Sequence, residues 1–294
     1  MKRNKLKYNR TWIFIFLLPT CLLFLLVYAI PLVLVFTNSL FEYRMFPSRF
    51  EFIGLGNFQH MITDDATFKQ AFINTVLWML IHCTIHIVLG CLLAFILYKK
   101  PVGWKFVRVA YMIPNIVSQA AIAMIFLNIY NPQFGLLNSL LSSLGLANLQ
   151  HNWLFDQATA YPSVTMTWLI FAGYTTTLVL AQALSVDKEI IEAAQVDGAS
   201  WPQIDWLIMR PMVSKMIGTT VVMAAAYMLQ LFSLIYITTG GGPGTTTMNL
   251  PLLLYQAMKA GNYGYANAVG VFIVVLGFIS MTIINKMFGL NRGD

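Results

Sequence analysis

Six long apolar bands, separated by short polar segments, take up most of this 294-residue sequence. They cover approximately residues 12–36, 71–98, 109–130, 160–183, 216–238 and 265–287. A helix needs about 20 apolar residues to cross a bilayer, so each band is long enough to do so. Only 10% of the residues are charged, against about 25% in soluble domains. The sequence therefore predicts an all-α polytopic membrane protein with six transmembrane helices.

The first band follows a basic segment, as the apolar part of a signal peptide does. It runs from about Trp12 to Phe36, whereas signal-peptide cores have about 7–15 apolar residues and end at a small-residue cleavage site. We expect a retained first helix. The third band is the least apolar, because Pro114, Asn115, Ser118 and Gln119 fall in its first half. Neighbouring helices can satisfy such polar groups, so we expect this band to span as well.

Basic residues predict the orientation of these spans. If the N-terminus is cytoplasmic, the external segments hold four basic residues, Arg44, Arg49, Lys69 and Lys259, and the internal segments hold the other 14 of 18. Cytoplasmic loops are enriched in Lys and Arg, so both termini are predicted to be cytoplasmic. The net charge of +7 is explained by this flanking role and does not indicate nucleic acid.

The external loops carry their own signals. The segment from Leu136 to Leu149 is amphipathic and predicts a short helix on the membrane surface. The run Gly240–Gly244 lacks the Gly-Lys-Ser/Thr ending of a phosphate-binding loop and falls outside, so we expect a tight external turn there. ATP binding then requires another subunit.

The longest internal loop, residues 184–215, contains signals for two helices. We expect Ser185 to cap the first, with Asp187 and Glu189 in its first turns. Gly198 is a natural helix stop, and Ser200 with Gln203 forms a capping box that starts the second helix. The predicted product is a helix-turn-helix elbow outside the membrane, with Ile190, Ile191, Ala193 and Ala194 on exposed turns.

The elbow also contains a spaced motif. Glu192-Ala193-Ala194, then Gly198 after three residues, then Ile208 to Pro211 after nine more, resembles the EAA motif of binding-protein-dependent ABC importer permeases. Arg210 stands where that motif usually has leucine. The segment Thr238–Gly244 and the segment Ile53–Phe58 look like those of the carbohydrate-uptake branch. The resemblance implies import of a sugar or oligosaccharide, with a polyol phosphate such as glycerol phosphate as the alternative.

The resemblance implies the type I permease (MetI-like) fold and a division of the chain. Residues 1–70 would form a cytoplasmic tail, the first helix and an external loop, residues 71–287 a five-helix core with the coupling loop 184–215, and residues 288–294 a cytoplasmic tail. The residues that would couple to an ATPase subunit are Glu192, Ala193, Ala194, Gly198 and Pro211.

The implied partners are a second homologous permease, two ABC ATPase subunits, an extracytoplasmic solute-binding protein, the solute and membrane lipid, with no nucleic acid. The chain itself would hold no cofactor, since ATP and Mg belong to the ATPase subunits. The implied location is the bacterial inner membrane.

Polar residues inside the bands are candidates for the solute pathway. Tyr227, Gln230 and Ser233 follow one another at helical spacing in the fifth band, and Tyr174 lies in the fourth. Such groups contact a solute or hydrogen-bond between helices, and both interpretations stay open. His82 and His86 share one helix face, but without a third ligand nearby polar packing is favoured over metal binding.

Other classes of protein fit the sequence less well. An ion-coupled secondary transporter usually carries an ionisable carboxylate or basic residue within its spans, and all eleven acidic residues here fall in loops or at the C-terminus. A membrane enzyme needs a catalytic constellation, and no such pattern of Ser, His, Asp or Cys is evident. Cys21, Cys83 and Cys91 lie in apolar bands and are interpreted as small buried hydrophobes.

Overall fold

The computed structural model describes residues 10–290, with side chains from Trp12 onwards. The basic residues Lys2, Arg3, Lys5 and Lys7, and the tail that contains Arg292, lie outside the described residues. The chain forms two compact units. One unit contains the described residues up to Asp64 together with Gln256–Val271, and the other contains Asp65–Tyr255 and the described residues from Phe272.

Four helices are long and apolar enough to cross a membrane without a sharp bend: Trp12–Asn38, Ala66–Tyr98, Ala160–Leu184 and Tyr263–Phe288. Two bent helix pairs, Trp104–Ile116 with Gln119–Ile129 and Trp201–Met212 with Ser214–Met228, bring the number to six if each pair counts as one span. In the second pair, Trp201–Met212 falls in the segment predicted as the elbow, and Ser214–Met228 in the fifth band. The protein is therefore a multi-pass, all-α membrane protein.

Three bands predicted as single helices are interrupted. In the fourth band, residues 170–172 separate helix Ala160–Leu169 from helix Gly173–Leu184. The third band bends by 100° between Ile116 and Gln119. Ser118 has extended backbone and caps the new helix by accepting from the Ala121 N–H. The fifth band ends as a helix at Met228 and resumes as Ser233–Thr238. Helices can break at membrane depth where protein groups satisfy the freed backbone. In the third and fifth bands the breaks lie beside polar residues.

In the first unit, a two-stranded hairpin follows the first span. Strands Phe41–Arg44 and Arg49–Phe52 pair antiparallel, and helix Gly56–Thr63 follows. The Asn57 amide donates to the carbonyls of Ser39 and Phe41 at 2.8 and 2.9 Å, which fixes the hairpin to that helix. The first span itself has no buried residues in its most apolar stretch.

In the second unit, the second and fourth spans pack closely. Gly90 allows this approach, because a Cβ there would lie 2.6 Å from the Thr175 methyl group. The α-helices of this unit are Ala66–Ile81, Ile87–Tyr98, Trp104–Ile116, Gln119–Ile129, Leu136–Ser143, Ala160–Leu169, Gly173–Leu184, Lys188–Val196, Trp201–Gln203, Arg210–Met212, Ser214–Met228, Ser233–Thr238, Leu250–Lys259, which runs past Tyr255, and the part of Tyr263–Phe288 from Phe272 onward. It also has π-helical turns at His82–His86 and Ile204–Met209 and a 3₁₀ turn at Ala147–Leu149. The predicted amphipathic stretch after Leu136 thus contains a short helix.

We predict that Gly173→Ala destabilises the protein. A Cβ at Gly173 would overlap the Tyr111 carbonyl oxygen and lie 2.7 Å from the Asn115 amide nitrogen. Overpacking of this kind typically costs about 1–3 kcal/mol, so the melting temperature of the purified protein should fall. Gly277→Ala is the matched control, because its Cβ meets only the flexible end of Leu229 at 3.3 Å. Equal melting temperatures for the two variants would contradict this packing.

Candidate functional site

A cavity of about 430 Å³ opens inside the second unit where three helices are interrupted. The interruptions lie at 117–118, 170–172 and 229–232. Residues beside the first two, Asn115, Gln119 and Phe171, line the cavity together with Tyr174 and Tyr227. The site is therefore built from helix ends rather than from one continuous helix face.

The interruptions free backbone carbonyls, and polar side chains satisfy several of them. His86 Nδ1 lies 2.9 Å from the Leu169 oxygen, the Tyr111 hydroxyl donates to the Ile170 oxygen, and the Asn249 amide donates to the Leu231 oxygen at 2.5 Å. An unpaired buried carbonyl is costly in an apolar environment. These side chains therefore hold the cavity open at a defined shape.

One wall of the cavity is an aromatic stack. The rings of His82 and His86 lie 4.1 Å apart, and His82 also stacks on Tyr227 at 5.4 Å. His82 Nδ1 contacts the Ala224 carbonyl at 3.1 Å. Both histidines thus contact backbone carbonyls of neighbouring helices. The described residues contain no group of three or more His, Cys, Asp or Glu side chains able to hold a metal.

The chemistry of the cavity wall is aromatic and neutral-polar. Among the residues that the structure describes, no Asp, Glu, Lys or Arg lines it. Trp168 lines it as well, and its buried indole nitrogen has no hydrogen-bond partner within the described part of the chain. Gln119 adds an amide group to the same wall as Tyr227, and three threonine residues, at 167, 175 and 220, add hydroxyl groups. Aromatic faces with a few hydrogen-bonding groups are typical of small-molecule sites.

The predicted pathway residues separate into two groups. Tyr174 and Tyr227 both line the cavity, whereas Gln230 and Ser233 do not. The expected row of Tyr227, Gln230 and Ser233 on one helix face is wrong, because the helix ends at Met228. Trp168 and Asn115 were not predicted, although the polar interruption of the third band was a signal for Asn115 and Gln119.

The elbow has the predicted helix-turn-helix form. Helix Lys188–Val196 begins at Asp187, which accepts from the Glu189 N–H, so the expected cap Ser185 is wrong. Ser185 instead ends the preceding helix. Gly198 has a φ of +81°, the left-handed conformation that glycine accepts at a helix end. The predicted capping box is present, with the Ser200 N–H donating to Gln203 Oε1 at 2.8 Å.

The elbow presents one face and buries the other. Glu192 and Ala193 are exposed and Ala194 is half-buried. Ile191, expected on an exposed turn, is buried instead and shares an apolar cluster with Ile204 and Met209. The cluster continues into both membrane helices beside it, through Phe95, Leu97, Val179 and Leu180. The elbow is thus packed rigidly onto the helix ends while the Glu192–Ala193 surface stays open.

The glycine-rich segment is clamped to the second span. The Asn74 amide donates to the carbonyls of Thr246 and Met248 at 2.9 and 2.8 Å, and Thr75 accepts from the Leu250 N–H. Within the segment, the hydroxyl groups of Thr239 and Thr247 lie 2.6 Å apart. These bonds make the Gly240–Gly244 run a fixed turn.

Similarity to a known family covers most of the cavity lining and the elbow. The family model for the inner membrane component of binding-protein-dependent transport systems matches residues 86–290, which include the cavity lining from His86 onward and the whole elbow. The chain belongs to that family. It is an ABC importer permease.

Individual proteins agree with the family. The permease is 36% identical to the probable ABC transporter permease protein YurN of Bacillus subtilis, over 91% of this chain and 92% of the other. It is 29% identical to the multiple sugar-binding transport system permease protein MsmF of Streptococcus mutans, over 93% and 94%. A crystallised bacterial alginate ABC transporter, in complex with an alginate pentasaccharide-bound periplasmic protein, has the same fold, with a TM-score of 0.83 at 23% identity over 95% and 94% of the two chains.

We predict that His86→Leu destabilises the permease, because the Leu169 carbonyl then loses its buried partner. A buried group left unsatisfied costs about 1–3 kcal/mol, which should lower the melting temperature of the purified protein. Thr84→Val is the control, since the Thr84 hydroxyl is exposed and bonds only within its own helix. If both variants melt like the wild type, the histidine does not support the interrupted helix.

Proposed function

We propose that this permease forms half of the translocation pathway of an ATP-driven importer for a neutral sugar or oligosaccharide. The observation that carries the proposal is a packed elbow with an exposed Glu192–Ala193 surface, in a chain that also contains a neutral, aromatic cavity. Family membership supports the import function. Similarity to MsmF, the permease of a multiple sugar-binding transport system, supports the class of solute.

The elbow is the proposed coupling helix. Glu192 provides a charged anchor for a separate ATPase subunit, Ala193 and Ala194 permit its close approach, and Gly198 sets the bend. Pro211 lies at the start of the turn that leads into the fifth span. Close-packed protein interiors transmit displacement with little loss, so movement of the elbow reaches Phe95 and Leu180 through the shared cluster.

The cavity is the proposed solute pathway within this subunit. Sugar hydroxyls need donors and acceptors, and their ring faces stack on aromatic side chains; Tyr174, Tyr227 and Trp168 offer both. A phosphorylated polyol calls for Lys or Arg, because charged hydrogen bonds dominate phosphate recognition. No such side chain lines the described cavity, so a neutral sugar fits better than the polyol phosphate alternative.

The proposed assembly contains a second homologous permease, two ATPase subunits that bind ATP and Mg, and an extracytoplasmic binding protein. The alginate transporter bound to a periplasmic protein supports that kind of partner. Membership of a family of inner membrane components supports a bacterial inner membrane location. The distribution of Lys and Arg supports cytoplasmic termini and a cytoplasmic elbow. In this arrangement the permease has no catalytic residue and no cofactor of its own.

Glu192→Arg and Gly198→Pro should each abolish solute-stimulated ATP hydrolysis by the assembled transporter in proteoliposomes. The first reverses the anchor charge, and the second removes the left-handed conformation at 198. Membrane insertion should be unchanged. Gly198→Asn, which tolerates that conformation, and Glu51→Arg on the hairpin are matched controls that should retain stimulation. Normal stimulation in both test variants would contradict the coupling role.

Tyr174→Ala and Tyr227→Ala should each reduce solute uptake, because each removes an aromatic face and a hydroxyl from the cavity. Loss of one hydrogen bond of about 1 kcal/mol lowers uptake roughly fivefold. Gln230→Ala, which removes a polar side chain of the same span outside the cavity lining, should transport normally. A larger loss at Gln230 than at the two tyrosines would contradict the assignment of the pathway.

A further inference from the structure

An ion pair joins the elbow to the end of the second span. Lys99 Nζ lies 2.5 Å from Asp205 Oδ2, between segments 106 residues apart. Both side chains are largely buried, at 26% and 19% exposed. The Lys99 ammonium also lies 5.1 Å from the centre of the Trp201 ring. Two residues of the elbow's second helix thus hold one lysine.

The two partners occupy mechanically distinct positions. Lys99 is the C-terminal cap of helix Ile87–Tyr98, where the helix dipole favours a positive charge. Asp205 lies in the π-helical turn Ile204–Met209, and π-helical turns occur frequently at functional sites. The ion pair therefore connects the elbow directly to the helix that carries His82 and His86 into the cavity.

Packing alone does not require this ion pair. Ile204 and Met209, on either side of Asp205, are fully buried in the apolar cluster that already attaches the elbow. A buried ion pair is often no more stabilising than well-packed apolar residues of similar size, and its best-attested use is to fix one geometry. In addition, Asp205 Oδ1 is buried without a hydrogen-bond partner among the described residues. A carboxylate with one buried, unpaired oxygen lowers stability, so we assign it the role of fixing the position of the elbow.

We propose that Lys99 and Asp205 are positioning residues of the transport cycle, which transmit movement of the elbow to the second span and so to the cavity wall. This inference rests on the proposed coupling function. The apolar cluster keeps the elbow attached, and the ion pair fixes the register in which elbow and helix end move together. Loss of the pair should uncouple ATP hydrolysis from transport rather than dismantle the protein.

The test measures solute transported per ATP hydrolysed by the complete transporter in proteoliposomes. Asp205→Asn keeps the side-chain shape but removes the charge, and should lower this ratio about fivefold or more, the low end of usual coupling between sites. Lys99→Arg retains charge and reach, and should preserve the ratio. Lys100→Met removes the neighbouring exposed lysine charge and should also behave like the wild type.

A double variant separates positioning from stability. Lys99→Met with Asp205→Leu replaces both charges with apolar groups, so its melting temperature should equal or exceed that of the wild type, while its transport ratio stays as low as that of Asp205→Asn. It also gives the deciding result if Asp205→Asn, which leaves a lysine charge without its partner, does not assemble. A normal ratio in the double variant would overturn the proposal.

The outcome is distinguishable from failure of the proposed function. A wild-type transporter whose ATP hydrolysis does not respond to solute would contradict the coupling function itself. A wild type that responds, a Glu192→Arg variant that does not, and an Asp205→Asn variant with a normal ratio would overturn only the role of Lys99 and Asp205.

Discussion

Backbone groups inside a membrane must find partners within the protein, and this constraint shapes the permease more than any other. Continuous helices satisfy it by themselves. Four of the spans run without a sharp bend, although the fourth is interrupted at residues 170–172. The cavity lies where three helices are interrupted. Side chains such as His86, Tyr111 and Asn249 hydrogen-bond the carbonyls that the interruptions leave unpaired. Polar side chains that look like candidate ligands in the sequence are thus partly structural.

Two of the helices that line the cavity also contact the elbow at their other ends. The second span carries His86 at the cavity and ends at Lys99 beside Asp205 of the elbow. The fourth span carries Tyr174 at the cavity and contributes Leu180 to the cluster under Ile191. The cavity and the elbow are therefore two regions of one packed body, which gives the proposed coupling a short physical route.

Much of this organisation could be predicted from the sequence. The apolar bands predicted the spans, and Gly198 with the Ser200–Gln203 capping box predicted the elbow, because glycine conformation and capping depend on neighbours in the chain. The breaks at 117–118 and 229–232 could not be located, since a helix breaks at depth only when distant residues supply partners. Asn249, for example, lies 18 residues from the Leu231 carbonyl that it satisfies. The Lys99–Asp205 ion pair could not be predicted either, because its two residues are 106 positions apart in the sequence.

The central claim is that the exposed surface of the elbow at Glu192 and Ala193 meets an ATPase subunit in the cytoplasm. A single cysteine, introduced as Ala193→Cys after replacement of Cys21, Cys83 and Cys91, tests it most directly through labelling and cross-linking in membranes that contain the assembled transporter. The account predicts cross-linking to the ATPase subunit and no reaction with a membrane-impermeant reagent added outside intact cells. Labelling from the outside, or an assembled transporter without any cross-link to its ATPase, would contradict it.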